Sequence, residues 1–413
     1  MDLRSDAFKI IHSSIESALP HAAVRNALEN ESFEGGRLLL VSIGKAAWSM
    51  AKAASDILSD KISKGIVITK YHHGKGDLAN ITVYEAGHPI SDANSYMATK
   101  EAIKLVTNLQ PEDRVLLLIS GGGSALFEDP LLDEDEMKNV NEQLLASGAN
   151  IVEINTIRKR LSRVKGGKFA KLCEPAKVMS VVLSDIIDNP LDMIASGPAY
   201  PDSSTSENAL GIIQKYGLTL SDQARSLIEQ ETPDKIDNVV TKITGSVNQL
   251  CEAARLKCLE LGYEPIILTS SLACEAAEAG KFIGAIAKHY YKTGKSLAFI
   301  AGGETVVRLT GKGKGGRNQE LALAAADEIN GLSNVAVFSV GSDGTDGPTD
   351  AAGGYVDGAT ACKLNEKNIK IYDILNNNDS YNALQEVDGL IITGPTGTNV
   401  NDLSVLLIRG DCH

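Results

Sequence analysis

The feature that most constrains this chain is a series of short, wholly apolar segments that break off into polar or glycine-rich loops. RLLLVSI (37–43), GIVIT (65–69), RVLLLIS (114–120), VMSVVLS (178–184), EPIILT (264–269), SLAFIA (296–301) and VAVFSV (335–340) are short for helices. They are also too uniformly apolar for strands with one wet face. Strands of that kind sit in sheets covered on both sides, most often parallel ones. Helical periodicity fills the intervals, as over 45–58, 92–108, 246–261 and 273–292. The alternation predicts an α/β fold with parallel sheets. Such sheets bind ligands outside the carboxyl ends of their strands, which is where the glycines cluster.

The 413 residues are enough for two domains. The polar, proline-containing stretch ETPDKID predicts a boundary near 235, giving domains 1–235 and 236–413, the second opening on the strand VVTKITG. A net charge of −13 disfavours nucleic acid and anionic membranes as partners. An anionic ligand must therefore be held by local cations. No apolar run reaches the length of about 18 residues that a membrane span needs. The opening MDLRSDAFKIIHSSIES is amphipathic, without an apolar signal core. Cysteines at 173, 251, 258, 274, 362 and 412 form no CxxC pair and no zinc pattern, so they read as free thiols of a cytoplasmic protein.

Several strand-end loops are candidates for chemistry. Gly44-Lys45 follows a strand and opens a helix, where a lysine beside free amides and a helix dipole suits an anion; a solvated helix start is the plainer reading. Gly121-Gly122-Gly123-Ser124 lets backbone amides approach a ligand closely. NTIRKRLSRVKGGKFA is the densest basic cluster; most of it reads as a solvated helix face, with Arg158, one turn from Asn155, turned toward a ligand. Asp185 and Asp188 follow a buried-type strand, where a carboxylate can accept a proton or simply cap a helix. Ser196-Gly197-Pro198 reads as a rigid turn. Asp343, Asp346 and Asp350 in GSDGTDGPTDAAGG suit either a divalent cation or an ordinary Asp/Gly turn. Thr393, Thr396 and Asn399 line one more strand-end loop.

The loop GKGKGGRNQE admits two readings. Gly311, Gly313 and Gly316 match the G-x-G-x-x-G clamp of a dinucleotide, and Asp343 at the next strand end supplies its acid. That reading gives an NAD(P)H-dependent hydroxypyruvate reductase, which also wants a histidine acid/base; His72, His73 and His88 are the ones in loops. Against it, the segment before the glycines is polar, and Lys312, Lys314 and Arg317 suit an anion more charged than a pyrophosphate diester. For the protein as a whole, a non-enzymatic module that binds nucleotide or sugar acid without turnover is a further reading. Gly294-Lys295-Ser296 is not a phosphate-binding P-loop, because His289 stands where its first glycine belongs and the strand follows instead of preceding.

SIGKAA, LISGGGSAL, NTIRKRLSRVKGGKFA, LSDIIDNPLDMIASGPAYPDSST, AGGETVVRLTGKGKGGRNQELALA, GSDGTDGPTDAAGG and ITGPTGTNVNDL occur in this order through nearly the whole chain. Together they resemble the glycerate 2-kinases, the MOFRL family. The resemblance implies ATP-dependent phosphorylation of D-glycerate at its 2-hydroxyl, giving 2-phosphoglycerate. It implies two α/β domains, the larger Rossmann-like, with the active site in the cleft between them, and it is compatible with a homodimer. The family's catalytic lysine falls on Lys45 and its arginine on Arg317. On this reading both contact the transferring γ-phosphoryl group, and Asp185, or else Asp188, takes the hydroxyl proton. Mg²⁺ or another divalent cation accompanies ATP, with Glu304, Asp343 and Asp346 as candidate ligands. Gly44, Gly121–Ser124, Arg158, Asp188, Gly313, Gly315, Gly316 and Asn318 are candidates for binding phosphate or glycerate, and which loop takes which is open.

Overall fold

The structure is a computed structural model and describes residues 2–183 and 191–410. The described chain forms two compact units, one from residues 23–183 and 191–244 and one from 2–22 and 245–410, the former slightly larger.

The first unit is built on strands β1 (Leu38–Ile43), β2 (Ile62–Lys70), β3 (Ile81–Ala86), β4 (Arg114–Ile119), β5 (Lys177–Leu183) and β6 (Val239–Thr244), in the order β3-β2-β1-β4-β5-β6. Every pairing is parallel. The reason for the uniformly apolar runs is visible in β1 and β4. Leu39, Val41, Val115 and Leu117 join one hydrophobic cluster, while Leu38, Leu40, Leu116 and Leu118 join another. Side chains alternate between faces with period two, and both faces are buried. Strand order reverses between β1 and β4, and the crevice outside the carboxyl ends at such a reversal is the usual ligand position in parallel sheets.

The second unit carries β7 (Glu264–Leu272), β8 (Leu297–Gly303), β9 (Val335–Gly341), β10 (Gly353–Asp357), β11 (Leu390–Ile391) and β12 (Asp402–Ile408), in the order β11-β10-β9-β12-β8-β7. Here the expectation of a parallel sheet fails. Only β7 and β8 pair in parallel; β12 runs antiparallel to both β8 and β9, and β10 antiparallel to β9. The apolar run of β12 reflects double burial alone. Leu403, Val405 and Leu407 pack under the helices Leu3–Ser17 and Val247–Glu260, and Leu406 and Ile408 under Ala276–Tyr290 and Arg317–Glu328. Two-sided burial is compatible with either strand direction.

The predicted boundary at 235/236 also shifts. VVTKITG does not open the second unit; it pairs with β5, from Val178↔Val239 to Leu183↔Thr244, and completes the first sheet. The first helix joins the second unit, where buried Asp6 accepts from Tyr263 Oη at 2.9 Å and Arg409 Nη2 at 2.6 Å. Among the described residues no helix is long and apolar enough to cross a membrane.

Candidate functional site

The crevice at β1 and β4 is assembled by backbone. Gly44 has φ +115°, a conformation that favours glycine, and a Cβ there would collide with Ser120. Ser120 Oγ accepts from Ala46 N at 3.1 Å, and Lys45 N donates to Gly121 O at 2.8 Å. The loop after β1 is thus sewn to the loop after β4. Lys45 is exposed, and among the described residues its Nζ has no hydrogen bond or ion pair. The amides of Gly121, Gly122, Gly123 and Ser124 likewise find no acceptor among the described residues. A cation and a row of amides therefore face the crevice together, an arrangement suited to an anion.

Behind this loop lies a strained turn. Ala195, Ser196 and Gly197 have consecutive φ values of 51°, 59° and 62°. Left-handed alanine and serine cost energy and persist only where the surroundings hold them. Gly166 N and Gly167 N donate to Ser196 O and Gly197 O at 3.0 and 2.7 Å, and Ala170 N donates to Pro198 O at 3.1 Å. The turn delivers Ser196 Oγ to within 3.0 Å of Ser124 Oγ and 3.1 Å of Asn155 Oδ1.

The basic cluster is not a solvated face. Lys159, Arg160 and Lys165 are buried. Lys159 Nζ lies 3.2 Å from Asp192 and 3.1 Å from Asp202; Lys165 Nζ lies 3.0 Å from buried Glu128 and donates to the carbonyls of Ser124 and Phe127 at 2.8 Å. Lys168 donates to the carbonyls of Lys159, Arg160 and Ser162. Burial pushes the pKa of both Lys165 and Lys168 down to about 8. Arg158 is mostly buried, with Nη2 3.4 Å from Ser124 O, so the structure does bring it to the glycine loop. Asp185 and Asp188 lie outside the described residues.

In the second unit the glycine-rich loop does other work than clamping a pyrophosphate. A Cβ on Gly311 or Gly313 would strike the backbone of Asn377 or the Asp379 residue, and one on Gly315 would strike Ser380. Thr310 N and Gly311 N donate to Asn378 Oδ1, Lys312 N to Asn377 Oδ1, Gly313 N to Asn377 O and Lys314 N to Asp379 Oδ1. Five consecutive amides are taken, so Gly313 does not cradle a phosphate through its N–H. Gly316 approaches Asp346, whose carboxylate accepts from Asn318 N at 3.1 Å and Gln319 N at 2.9 Å, capping the helix Arg317–Glu328. Burial pushes the Asp346 pKa up to about 6 against those amides. Asn318 is buried, its amide held between Asp346 and Ser339. Gly315, Gly316 and Asn318 therefore build the helix start. The dinucleotide reading fails on topology as well, because antiparallel β12 intervenes between β8 and β9 where a dinucleotide fold needs adjacent parallel strands.

Arg317 opens that helix. Its Nε and Nη2 form a fork on Asp402 at 2.5 and 3.0 Å, and Nη1 lies 3.2 Å from Glu304. Burial would lower its pKa, but the hydrogen bonds to Asp402 and the charges of Asp402, Glu304 and Asp346 raise it, so the guanidinium stays charged. Asp343 Oδ1 accepts from Thr345 N and Oγ1 within its own turn.

Residues 6–229 match a family model described as a domain of unknown function (DUF4147), and residues 297–402 match the MOFRL family. A D-glycerate 2-kinase of Thermotoga maritima is 50% identical over 412 residues, covering 98% of each chain. The chain belongs to the glycerate 2-kinase family. A glycerate 2-kinase of Pyrococcus horikoshii is 40% identical over 99% of this chain and 98% of its own. The crystal structure of a glycerate kinase from Thermotoga maritima superposes with a TM-score of 0.92 at 50% identity, covering 98% of this chain and 99% of that one.

Within this family frame, two crevice features escaped the sequence reading. Ser196 was visible only as part of a turn, and nothing in SGP announces left-handed residues ahead of the glycine. His88 reads in the sequence only as a loop histidine, yet its ring packs on Gly122: a Cβ on that glycine would lie 2.9 Å from His88 Cδ2 and 3.1 Å from Lys45 Cγ.

Proposed function

We propose that the protein transfers the γ-phosphoryl group of ATP to the 2-hydroxyl of D-glycerate, giving 2-phosphoglycerate and ADP. The observation that carries this reading is the exposed Lys45 beside four amides, none with a partner among the described residues, at the strand-order reversal of the parallel sheet. Phosphoryl transfer asks chiefly for positioning and neutralised charge. Lys45 supplies a point charge for the transferring group, and Arg317, its fork fixed by Asp402, is a preorganised cation suited to phosphate. The Gly121–Ser124 amides and Arg158 receive the glycerate carboxylate. Ser196, whose hydroxyl also meets Asn155 Oδ1, holds the Ser124 hydroxyl.

Mg²⁺ is the ordinary companion of ATP, but the carboxylates expected to hold it do not fit. Two Asp346 oxygens accept amides, Glu304 pairs with Arg317, and Asp343 closes its own turn. Among the described residues no group of three or more His, Cys, Asp or Glu is placed to hold a metal ion.

The test is one incubation with D-glycerate, ATP and Mg²⁺, read by enolase-coupled detection without added mutase, beside another with hydroxypyruvate and NADH or NADPH. Immediate 2-phosphoglycerate in the first and a silent second are expected. Nucleotide oxidation in the second with no phosphorylated product in the first would overturn the proposal.

A further inference from the structure

We propose that His88 is the base that takes the proton from the 2-hydroxyl of glycerate. The inference rests on the kinase reading above and deepens it. The loop carrying His88 is pinned on both sides. Ser91 Oγ donates to Ala125 O at 2.7 Å, tying it to the turn after the glycines. Asp92 caps the helix Ala93–Leu105 through Ser95 N at 2.9 Å and accepts from Tyr71 Oη at 2.7 Å. Held this way, the imidazole meets Gly122, where only the missing side chain of glycine makes room. A Cβ there would lie 3.0 Å from His88 Nε2 as well as 3.1 Å from Lys45 Cγ. Imidazole and lysine thus converge on the middle of the glycine loop, from the loop after β3 and the loop after β1.

Among the described residues neither ring nitrogen of His88 has a hydrogen-bond partner, unlike His73, whose Nδ1 lies 3.1 Å from Lys45 O. A half-buried imidazole with no partner among the described residues, beside a cation and a row of amides, has the placement a general base requires. The neutral form is favoured by its surroundings. Burial lowers its pKa first, and the positive charges of Lys45, Lys70 and His73 lower it further. The nearest carboxylate on its own loop, Asp92, is engaged with Tyr71 and Ser95. In the reaction the imidazole lone pair takes the hydroxyl proton as the glycerate oxygen bonds to the γ-phosphorus and the bond from phosphorus to ADP breaks. The imidazolium then returns the proton to water.

The experiment compares wild type with His88→Asn and His88→Ala in 2-phosphoglycerate formation from pH 5 to 9, with and without added imidazole. We expect kcat to fall about 10²–10⁴-fold, with KM for both substrates within threefold. The wild-type kcat/KM should rise through an apparent pKa below the ordinary histidine value of about 6.5, and that acidic limb should vanish in both variants. Imidazole should restore part of the His88→Ala rate, which a purely structural role would not allow. Circular dichroism identical to wild type shows that the variants fold. An active wild type with an equally active His88→Asn, or a change in KM alone, overturns the assignment and leaves the kinase reading standing. A wild type that forms no 2-phosphoglycerate overturns both.

Discussion

Lys168 shows how one cation can organise a site it never touches. Its ammonium gathers three carbonyls at the end of the helix Ile151–Leu161, with no carboxylate among its hydrogen-bond partners. Replacement by methionine should destabilise the protein by about 1.5–3 kcal/mol, the range for charged hydrogen bonds. The sign of its pH dependence follows from its lowered pKa. Between about 8 in the folded protein and about 10.4 in the unfolded chain, the unfolded state holds more protons. Its contribution to stability therefore rises with pH across that window. The stability gap between wild type and Lys168→Met, measured by urea unfolding, should widen from about pH 8 to pH 10. A constant gap would contradict this. Residues differed in how openly the sequence announced them. Lys45 was legible because strand, glycine and helix lie next to one another. The burial of Lys159 and Lys165 was not, because their counter-ions Asp192, Asp202 and Glu128 lie elsewhere in the chain. His88 needed the fold to bring Gly122 to it.

The helix Arg317–Glu328 is where one element sets the geometry of a candidate catalytic residue. Asp346 caps its first turn, and the glycine loop before it is clasped by Asn377–Ser380. Asp346→Asn leaves a single carbonyl oxygen where two carboxylate oxygens served two amides. A loss of about 0.5–2 kcal/mol is expected, read as a lowered midpoint in thermal unfolding. An unchanged midpoint would remove the cap from this account. The seven apolar runs marked strands correctly; in six of them burial on both faces leaves the unbroken apolar signature, whereas β7 is an edge strand whose Ile266, Ile267 and Leu268 are exposed. Strand direction left none, and the antiparallel β12 emerges only from its pairing with β8 and β9. The G-x-G-x-x-G match misled for a related reason. Glycine marks close approach of backbone, and the pattern does not say whether a ligand or another stretch of protein approaches.

Across the whole chain, two α/β units and their order were legible, while their limits were not. The link ETPDKID is polar, yet the chain still owes the first sheet its last strand, and the first helix buries its apolar stripe in the second unit. Family membership covers both units. In the proposed reaction Lys45, at the strand-order reversal, meets the charge of the transferring phosphoryl group. The most direct measurement is kcat for 2-phosphoglycerate formation by Lys45→Met at saturating D-glycerate and MgATP. Loss of a preorganised charge-stabilising group predicts a fall of about 10²–10³-fold or more, in a protein whose thermal midpoint is unchanged because the exposed Nζ has no partner among the described residues. A Lys45→Met protein that turns over within a few-fold of wild type would contradict the account.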